Sequence, residues 1–462
     1  MASLIEAKIG NHRGCSRVYL AGEILKKEGF DVGVRYKRSN GSKLCLEISC
    51  EGDYVVSKRK NRSSGEYSPV LDIREPELQE LGVEGRVRVM FFKNKALVLR
   101  HFFDDRIKER LLRVVSKLES GEGLKVNSFF HGGGVSSRAI HEGLSKAGVN
   151  SSIGMAIEME GKYLDSSLLR NPMIWNEDSI VMNTKIESVQ FDGKGIPKAE
   201  ICELGIPCVG FSKAGMSKNR LKFAEEHESA GAAFFYALQG VLSSNPCVAI
   251  LENVCSFGDS ASAAVVRSVL GTNGYSTIEF TVSGKDFGAF EDRDRWCMIA
   301  VTKGMESLLN LELMNEFHED VPSFEEILDD DEKTFHPYDY LRKKEKLDIE
   351  KGKGFRMQIL HRDQKPTKCG VIGRGYAKVR SCEPLISKDS TGSLLRLFSL
   401  REHAKVKTIP YDLVEDLSNV VGTEILGQSV IYKAFMAIGF TVGSLIREYC
   451  FSRVNQESTY VA

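Results

Sequence analysis

The stretch LKVNSFFHGGGVSSRAIHEGLSKAG, residues 124–148, decides the fold. LKVNSFF is a short apolar run of the kind that forms a buried strand. Glycines follow at 132, 133 and 134, and VSSRAIHEGLSKAG then carries helical spacing. Glycines between a strand and a helix let the backbone approach a ligand and aim the helix N–H groups at it. A glycine-rich turn alone is also what any tight structural turn looks like. Here the texture continues downstream. SIGMAIEME (152–160) reads as a second strand, HESAGAAFFYALQGVLSS (227–244) as a helix, and CVAILENV (247–254) and RWCMIAVTKG (295–304) as further strands. Strands alternating with helices imply a parallel sheet with ligands at the C-terminal ends of its strands.

Working outward, DDRIKERLLRVVSKLES (104–120) places Ile107, Leu111, Leu112, Val115 and Leu118 at helical spacing, as a connecting helix would. Before it lies an internal repeat: VYLAGEILKKEGFDVGVRYK (18–37) beside VLDIREPELQELGVEGRVRV (70–89). Each copy reads strand, short helical turn, glycine bend, strand, and each is followed by a hairpin segment, KLCLEIS or KNKALVLR. The pattern resembles the swapped-hairpin barrels of transition-state regulators, so residues 1–105 are expected to be a separate β-rich accessory domain. The alternation stops near 303. Residues 303–395 are polar and irregular, as an inserted module would be, and helical patterning returns in 396–462.

At 462 residues, two or three domains are expected. Lys plus Arg and Asp plus Glu both number 63, so net charge neither favours nor excludes a nucleic-acid partner. The eleven cysteines include no CxxC pair, so no metal site is expected, and most are taken as reduced and buried. No apolar run approaches the roughly 20 residues of a membrane helix. MASLIEAKIGNHRG lacks a secretory apolar core, so the protein is expected to stay where it is made, in the cytoplasm, with no membrane contact.

Four motifs carry chemistry. The first is Phe130-His131-Gly132-Gly133-Gly134, with Glu158 and Glu160 ending the next strand, where carboxylates suit ribose hydroxyls, and Asp178 placed for an adenine amine. The second is Gly205-Ile206-Pro207-Cys208-Val209-Gly210, a cysteine on a glycine-flanked loop. A nucleophilic thiol needs a lowered pKa, and Lys213, Lys218 and Arg220 follow closely. An inert loop cysteine is the plain alternative. Third comes Leu251-Glu252-Asn253-Val254, a carboxyl at a strand end whose burial would suit it to proton donation, or else a helix cap. The fourth is Arg293-Asp294-Arg295, two arginines at alternate positions before a strand, which also fits an ion-paired edge.

In this order the four resemble the DNA cytosine-5 methyltransferases, whose pattern closes with a late helix start matched here by Leu426-Gly427-Gln428-Ser429-Val430. The likeness spans about 122–302 and 396–462. It implies an α/β, Rossmann-like methyltransferase with a mixed sheet, an inserted target-recognition domain at 303–395, and a catalytic domain split between 122–302 and 396–462. It implies S-adenosylmethionine as cofactor, held by Phe130, Gly132, Gly134, Glu158, Met159, Asp178, Ser179, Pro207, Gln428 and Ser429. Cys208 would add to C6 of a flipped-out cytosine, with Glu252, Arg293 and Arg295 completing the catalytic set. The implied partner is double-stranded DNA, which would place the protein at the nucleoid, with a cognate restriction endonuclease as a second candidate and a monomer as the expected state. Several positions depart from the family pattern: Val135 for a glycine, Val209 for a common glutamine, Phe290-Glu291 for Pro-Gln, and Gln428 for asparagine. Two other readings stand beside this one. A non-catalytic DNA-binding regulator would be expected to have lost one of the four catalytic residues. An RNA cytosine-5 methyltransferase would be expected to carry a Cys-Phe-Thr stretch, which is missing from this sequence.

Overall fold

The computed structural model describes residues 3–459, apart from 42, 62–64, 75–76, 82–84, 193–194, 209, 212–223, 228–230, 330–333, 353–355 and 381. The chain divides into two compact units, one ending at residue 109 and the other beginning at 110.

The first unit is built from β1 (Ser3–His12), β2 (Cys15–Ala21), β3 (Arg35–Ser39), β4 (Leu44–Ile48), β5 (Tyr54–Val55), β6 (Ser57–Lys60), β7 (Tyr67–Arg74), β8 (Arg86–Phe92) and β9 (Lys95–Arg100). They form one antiparallel sheet in the order β5-β3-β4-β9-β8-β1-β2-β7-β6. Its two edge strands are consecutive in the chain, separated only by the buried Val56, so the sheet curls until its ends meet as a barrel. The internal repeat is visible in the pairing. The two copies meet through β2 with β7 and through β4 with β9. Alternate residues such as Val18, Leu20, Leu71, Ile73, Val87 and Val89 fill the interior, the two-residue period of a half-buried strand.

In the second unit the strands are β10 (Leu124–Phe129), β11 (Ser151–Glu158), β12 (Ile180–Asn183), β13 (Ile201–Gly205), β14 (Val248–Asn253), β15 (Tyr275–Ser283) and β16 (Asp294–Thr302). Their order is β12-β11-β10-β13-β14-β16-β15. The first five run parallel, while β16 is antiparallel to both its neighbours, so the sheet is mixed. Both faces are covered, and neighbouring residues serve opposite faces. Ile250 and Ile299 join one core, while Leu251 and Met298 join the other.

One face is covered by the helices Val135–Lys146 and Tyr432–Thr459. They cross closely because both carry small residues there. A Cβ on Gly143 would lie 2.1 Å from the Met436 carbonyl oxygen, and one on Gly439 would lie 2.4 Å from that of Ile140. The second helix corrects the expectation of no long apolar segment: Tyr432–Arg453 has the length and composition of a membrane span. Two-thirds of its most apolar window is buried inside the protein, with Ala434, Ala437, Ile438 and Val442 in the core, which accounts for the apolar composition.

Residues 303–396 carry a three-stranded sheet, β17 (Gln358–Leu360), β18 (Pro384–Ser387) and β19 (Leu395–Arg396), and a helix at Asp339–Glu350. Their small core of Phe324, Ile327, Leu360, Ile372, Tyr376 and Ile386 also takes in Phe290, Phe398 and Val406 from the flanking chain.

Candidate active site

The order of the parallel strands creates the site. From β10 the chain moves outward through β11 and β12, then returns to place β13 and β14 on the other side of β10. Open sheets of this kind bind ligands in the crevice where the order reverses, outside the C-terminal ends of the strands. The loops leaving β10 and β13 flank it, and they are the glycine loop and the Pro207-Cys208 loop.

The glycine loop is tightly specified. Phe130 leaves β10 with φ 62°, a left-handed conformation uncommon for a bulky residue, and Gly132 and Gly134 follow at 59° and 76°. A Cβ on Gly134 would lie 2.4 Å from Ser167 Oγ and 2.7 Å from Asn171 Nδ2, so only glycine fits. Glu158, buried at the end of β11, accepts the Gly132 N–H at 2.8 Å and the Glu160 N–H at 2.9 Å, one on each carboxylate oxygen. Met159 beside it is exposed. Behind the loop, His131 bonds Ser128 Oγ at 2.9 Å and Ser167 Oγ at 2.8 Å, and burial pushes its pKa down to about 3. It is a neutral anchor inside the first motif, to which the sequence alone assigned no role.

The C-terminal segment returns to this loop, as the late motif implied. A Cβ on Gly133 would meet Ile425 Cγ2 at 2.7 Å, so the helix Asn419–Gln428 lies directly over the glycines. Gln428 and Ser429 bond back to the carbonyls of Glu424 and Ile425, at 3.0 and 2.6 Å. Glu160, read as a second ribose carboxylate, instead pairs with Arg374 at 3.0 Å.

Asp178 and Ser179 require a correction. β12 pairs with β11 from Met155–Ile180 to Glu158–Asn183, so both residues precede the strand. Ser179 Oγ donates to the Ile153 carbonyl at 2.7 Å. Five extended residues, about 16 Å, separate Ile153 from Glu158. Asp178 and Ser179 therefore lie at the opposite end of the sheet from the crevice. The residue that β12 delivers to the crevice is Asn183, whose amide donates to the carbonyls of Glu158 and Met159, both at 3.0 Å.

Across the crevice, Cys208 is partly buried on the loop after β13. Asn253, at the end of β14 and almost fully buried, donates to the Ile206 carbonyl at 3.2 Å and so tethers that loop. Glu252, which pairs in register with Gly205 and Cys297, meets Arg295 Nε at 2.9 Å. Arg293, 6% exposed, donates to Glu291 Oε1 at 3.1 Å. Cys208, Glu252, Arg293 and Arg295 thus gather at one end of the sheet.

The expectation of a lowered thiol pKa is not met among the described residues. Burial pushes the Cys208 thiol up, Glu252 pushes it further, and Arg295 and Arg293 offset only part of this. Lys213, Lys218 and Arg220 lie outside the described residues. All eleven cysteines are free. Five are buried, fewer than expected, and Cys15, Cys50, Cys255 and Cys382 are exposed.

Solved structures share this fold. A Dnmt2 methyltransferase from S. pombe matches 71% of this chain and 99% of its own, with TM-score 0.52 and 18% identity. The Entamoeba histolytica methyltransferase EhMeth matches 72% and 99%, with TM-score 0.53 and 18% identity. In sequence, the chain is similar to the Type II methyltransferase M.SsoII of Shigella sonnei, 25% identical over 260 residues, covering 54% of this chain and 65% of that one. It is also similar to the Type II methyltransferase M1.ScrFI of Lactococcus lactis subsp. cremoris, 24% identical over 257 residues, covering 54% and 63%. The matched part is therefore just under two thirds of each curated relative. The model of the C-5 cytosine-specific DNA methylase family matches residues 173–443, a span that holds Cys208, Glu252, Arg293, Arg295 and Gln428 and leaves the glycine loop upstream. With more than half of the chain matched and the motif residues gathered at one crevice, this protein belongs to the C-5 cytosine-specific DNA methylase family.

Proposed function

We propose that this protein methylates C5 of cytosine in duplex DNA, through a covalent bond between Cys208 and C6 of the base. The observation that carries this reading is the convergence of Cys208, Glu252, Arg293 and Arg295 opposite the glycine loop.

The loop fits S-adenosylmethionine. Gly134 leaves no room for a Cβ, the first turn of the helix Val135–Lys146 opens toward the crevice, and Glu158 holds the loop while keeping lone pairs for ribose hydroxyls. Phe130, Gly132, Glu158 and Met159 would hold the cofactor, with Asn183 at the rim where Asp178 had been expected. When bound, the cofactor supplies an electrophilic methyl group to C5.

The protein's part is to make C5 nucleophilic. Aromatic C5 is too poor a nucleophile unaided, and adding a thiolate at C6 breaks the aromaticity and moves electron density to C5. Glu252, at the end of β14, would face N3 and the exocyclic amine of the base. Arg295, already ion-paired to Glu252, keeps that carboxyl oriented. After methylation the C5 proton leaves to a base, the C5–C6 double bond re-forms and Cys208 is released. Burial and Glu252 push the resting thiol's pKa up, so Cys208 gives its proton to water as the sulfur adds to C6. The cytosine must leave the helix stack for this, at a few kcal/mol that pocket contacts offset. A segment with its own small core, residues 303–395, is suited to reading the bases around the target.

Mapping 5-methylcytosine across DNA from cells expressing the protein tests the reading. A single recurrent sequence context carrying the mark is expected. Unmarked DNA alongside methylated transfer RNA would overturn the choice of substrate.

A further inference from the structure

Behind Arg293 lies a buried charge cluster that the reaction just described does not use. Lys407 is 0% exposed. Its ammonium donates to the Leu426 carbonyl at 2.7 Å and the Ile372 carbonyl at 3.3 Å, and forms an ion pair with Glu291 Oε2 at 3.2 Å. Those partners belong to three parts of the machinery. Leu426 follows Ile425, which covers the glycine loop, and Ile372 belongs to the 303–395 segment. Glu291 holds Arg293 with its other oxygen. Arg293 in turn acts electrostatically on Cys208.

We propose that Lys407 is a positioning residue for the reacting thiol: through Glu291 it seats Arg293 and sets the charge that the buried cluster presents to Cys208. With Lys407 protonated, Lys407, Glu291 and Arg293 carry a net charge of +1, which favours a thiolate. When Lys407 loses its proton the net charge falls to zero. Glu291 then draws on Arg293 alone, and the field at Cys208 weakens. Burial and the neighbouring Arg293 bring the Lys407 pKa down to about 7, within the working range of a cell. Other groups around Lys407 respond differently. His403, on the preceding turn, is buried and held far below its ordinary pKa, so it stays neutral. Glu383 and Cys369, from the inserted segment, are both pushed up by burial, and Arg295 adds a fixed positive charge.

Removing Lys407 alone would leave Glu291 as an under-compensated buried charge and risk unfolding. The informative variant is Glu291→Gln/Lys407→Gln, in which Arg293 holds the cluster at +1 at every pH and a neutral pair replaces the ion pair. The readout is the iodoacetamide alkylation rate of Cys208 in the full chain, followed on its peptide by mass spectrometry between pH 6 and pH 8.5. Circular dichroism melting confirms that both proteins are folded. Ionisations common to the two proteins cancel in the ratio of their rates. Normalised to pH 6, the variant-to-parent ratio is expected to rise as pH passes through 7, by about threefold or more, since a unit charge lost from the cluster acts on the thiol through Arg293 at an intermediate dielectric. A ratio flat with pH would overturn the proposal and leave Lys407 a structural tie.

The inference rests on the methyltransferase reading only in taking Cys208 as the reacting thiol. Single-turnover methyl transfer over the same pH range should show the same rising ratio. Absence of transfer by the parent protein would count against the proposed function, while the alkylation ratio would still decide the role of Lys407.

Discussion

Glu158 occupies an unusual position for a ligand carboxylate, because one oxygen already holds the Gly132 N–H of the glycine loop and the other the Glu160 N–H that follows its own strand. It shapes the Gly132 turn and presents its remaining lone pairs to the crevice. Replacing it by alanine removes two charge-assisted bonds, together with the ribose contact proposed for it. At about 1.5–3 kcal/mol for a bond to a charged group, S-adenosylmethionine affinity of Glu158→Ala is expected to fall at least about tenfold by calorimetry. Asp178→Ala should bind as the parent does, because Asp178 lies at the far end of β12. The reverse pattern would move the cofactor site away from the glycine loop. Residues of this kind are legible in sequence when they end an apolar run, as Glu158 and Glu252 do. Asn183 was missed because its strand, IVMN, is short and largely exposed and has no apolar signature. The raised thiol pKa of Cys208 was not legible, since its causes are burial and the Glu252 carboxyl, brought near only when β13 pairs with β14.

Elements show the same division. The helix foreseen at 104–120 forms at Phe102–Ser120, yet Leu112 is half exposed and Arg110 is fully buried. Periodicity assigned the leucines to the core. In the fold Arg110 instead donates to the carbonyls of Asn273 and Gly274, at 3.1 and 2.6 Å, capping the end of the helix Ala261–Thr272. Helical spacing reveals that a face is buried, but not that a guanidinium will be called inside to satisfy another helix's carbonyls. The break in the strand–helix alternation after residue 303 was legible, and packing runs across the boundaries read from it. Phe290, Phe398 and Val406 complete the core of the 303–395 segment, and Lys407 bonds Ile372. If this segment reads DNA, grafting residues 303–395 from a relative with a different target should transfer that target, as read by mapping 5-methylcytosine. The graft must keep contacts with Phe290, Val406 and Lys407 to fold. An active chimaera that retains the original target would place specificity elsewhere.

At the scale of the molecule, the strand order explains why motifs scattered over three hundred residues act together. A parallel sheet that reverses at β10 brings the loops after β10 and β13 to one crevice, and the antiparallel β16 starts beside the end of β14, where Glu252 waits for Arg295. The order of the motifs was legible because each ends or begins an apolar strand. The registers that join them depend on pairing between distant segments and were not. The account's central claim is that this crevice makes Cys208 a nucleophile toward cytosine. DNA carrying 5-fluorocytosine at the methylated site tests it most directly, because fluorine cannot leave C5 as a proton does and the adduct persists. With S-adenosylmethionine present, the protein is predicted to form a complex stable to denaturing electrophoresis, with the DNA bonded to the Cys208 peptide, and Cys208→Ala is predicted to abolish both the complex and methylation. A Cys208→Ala protein that still methylates, or an adduct on another residue, would contradict the account.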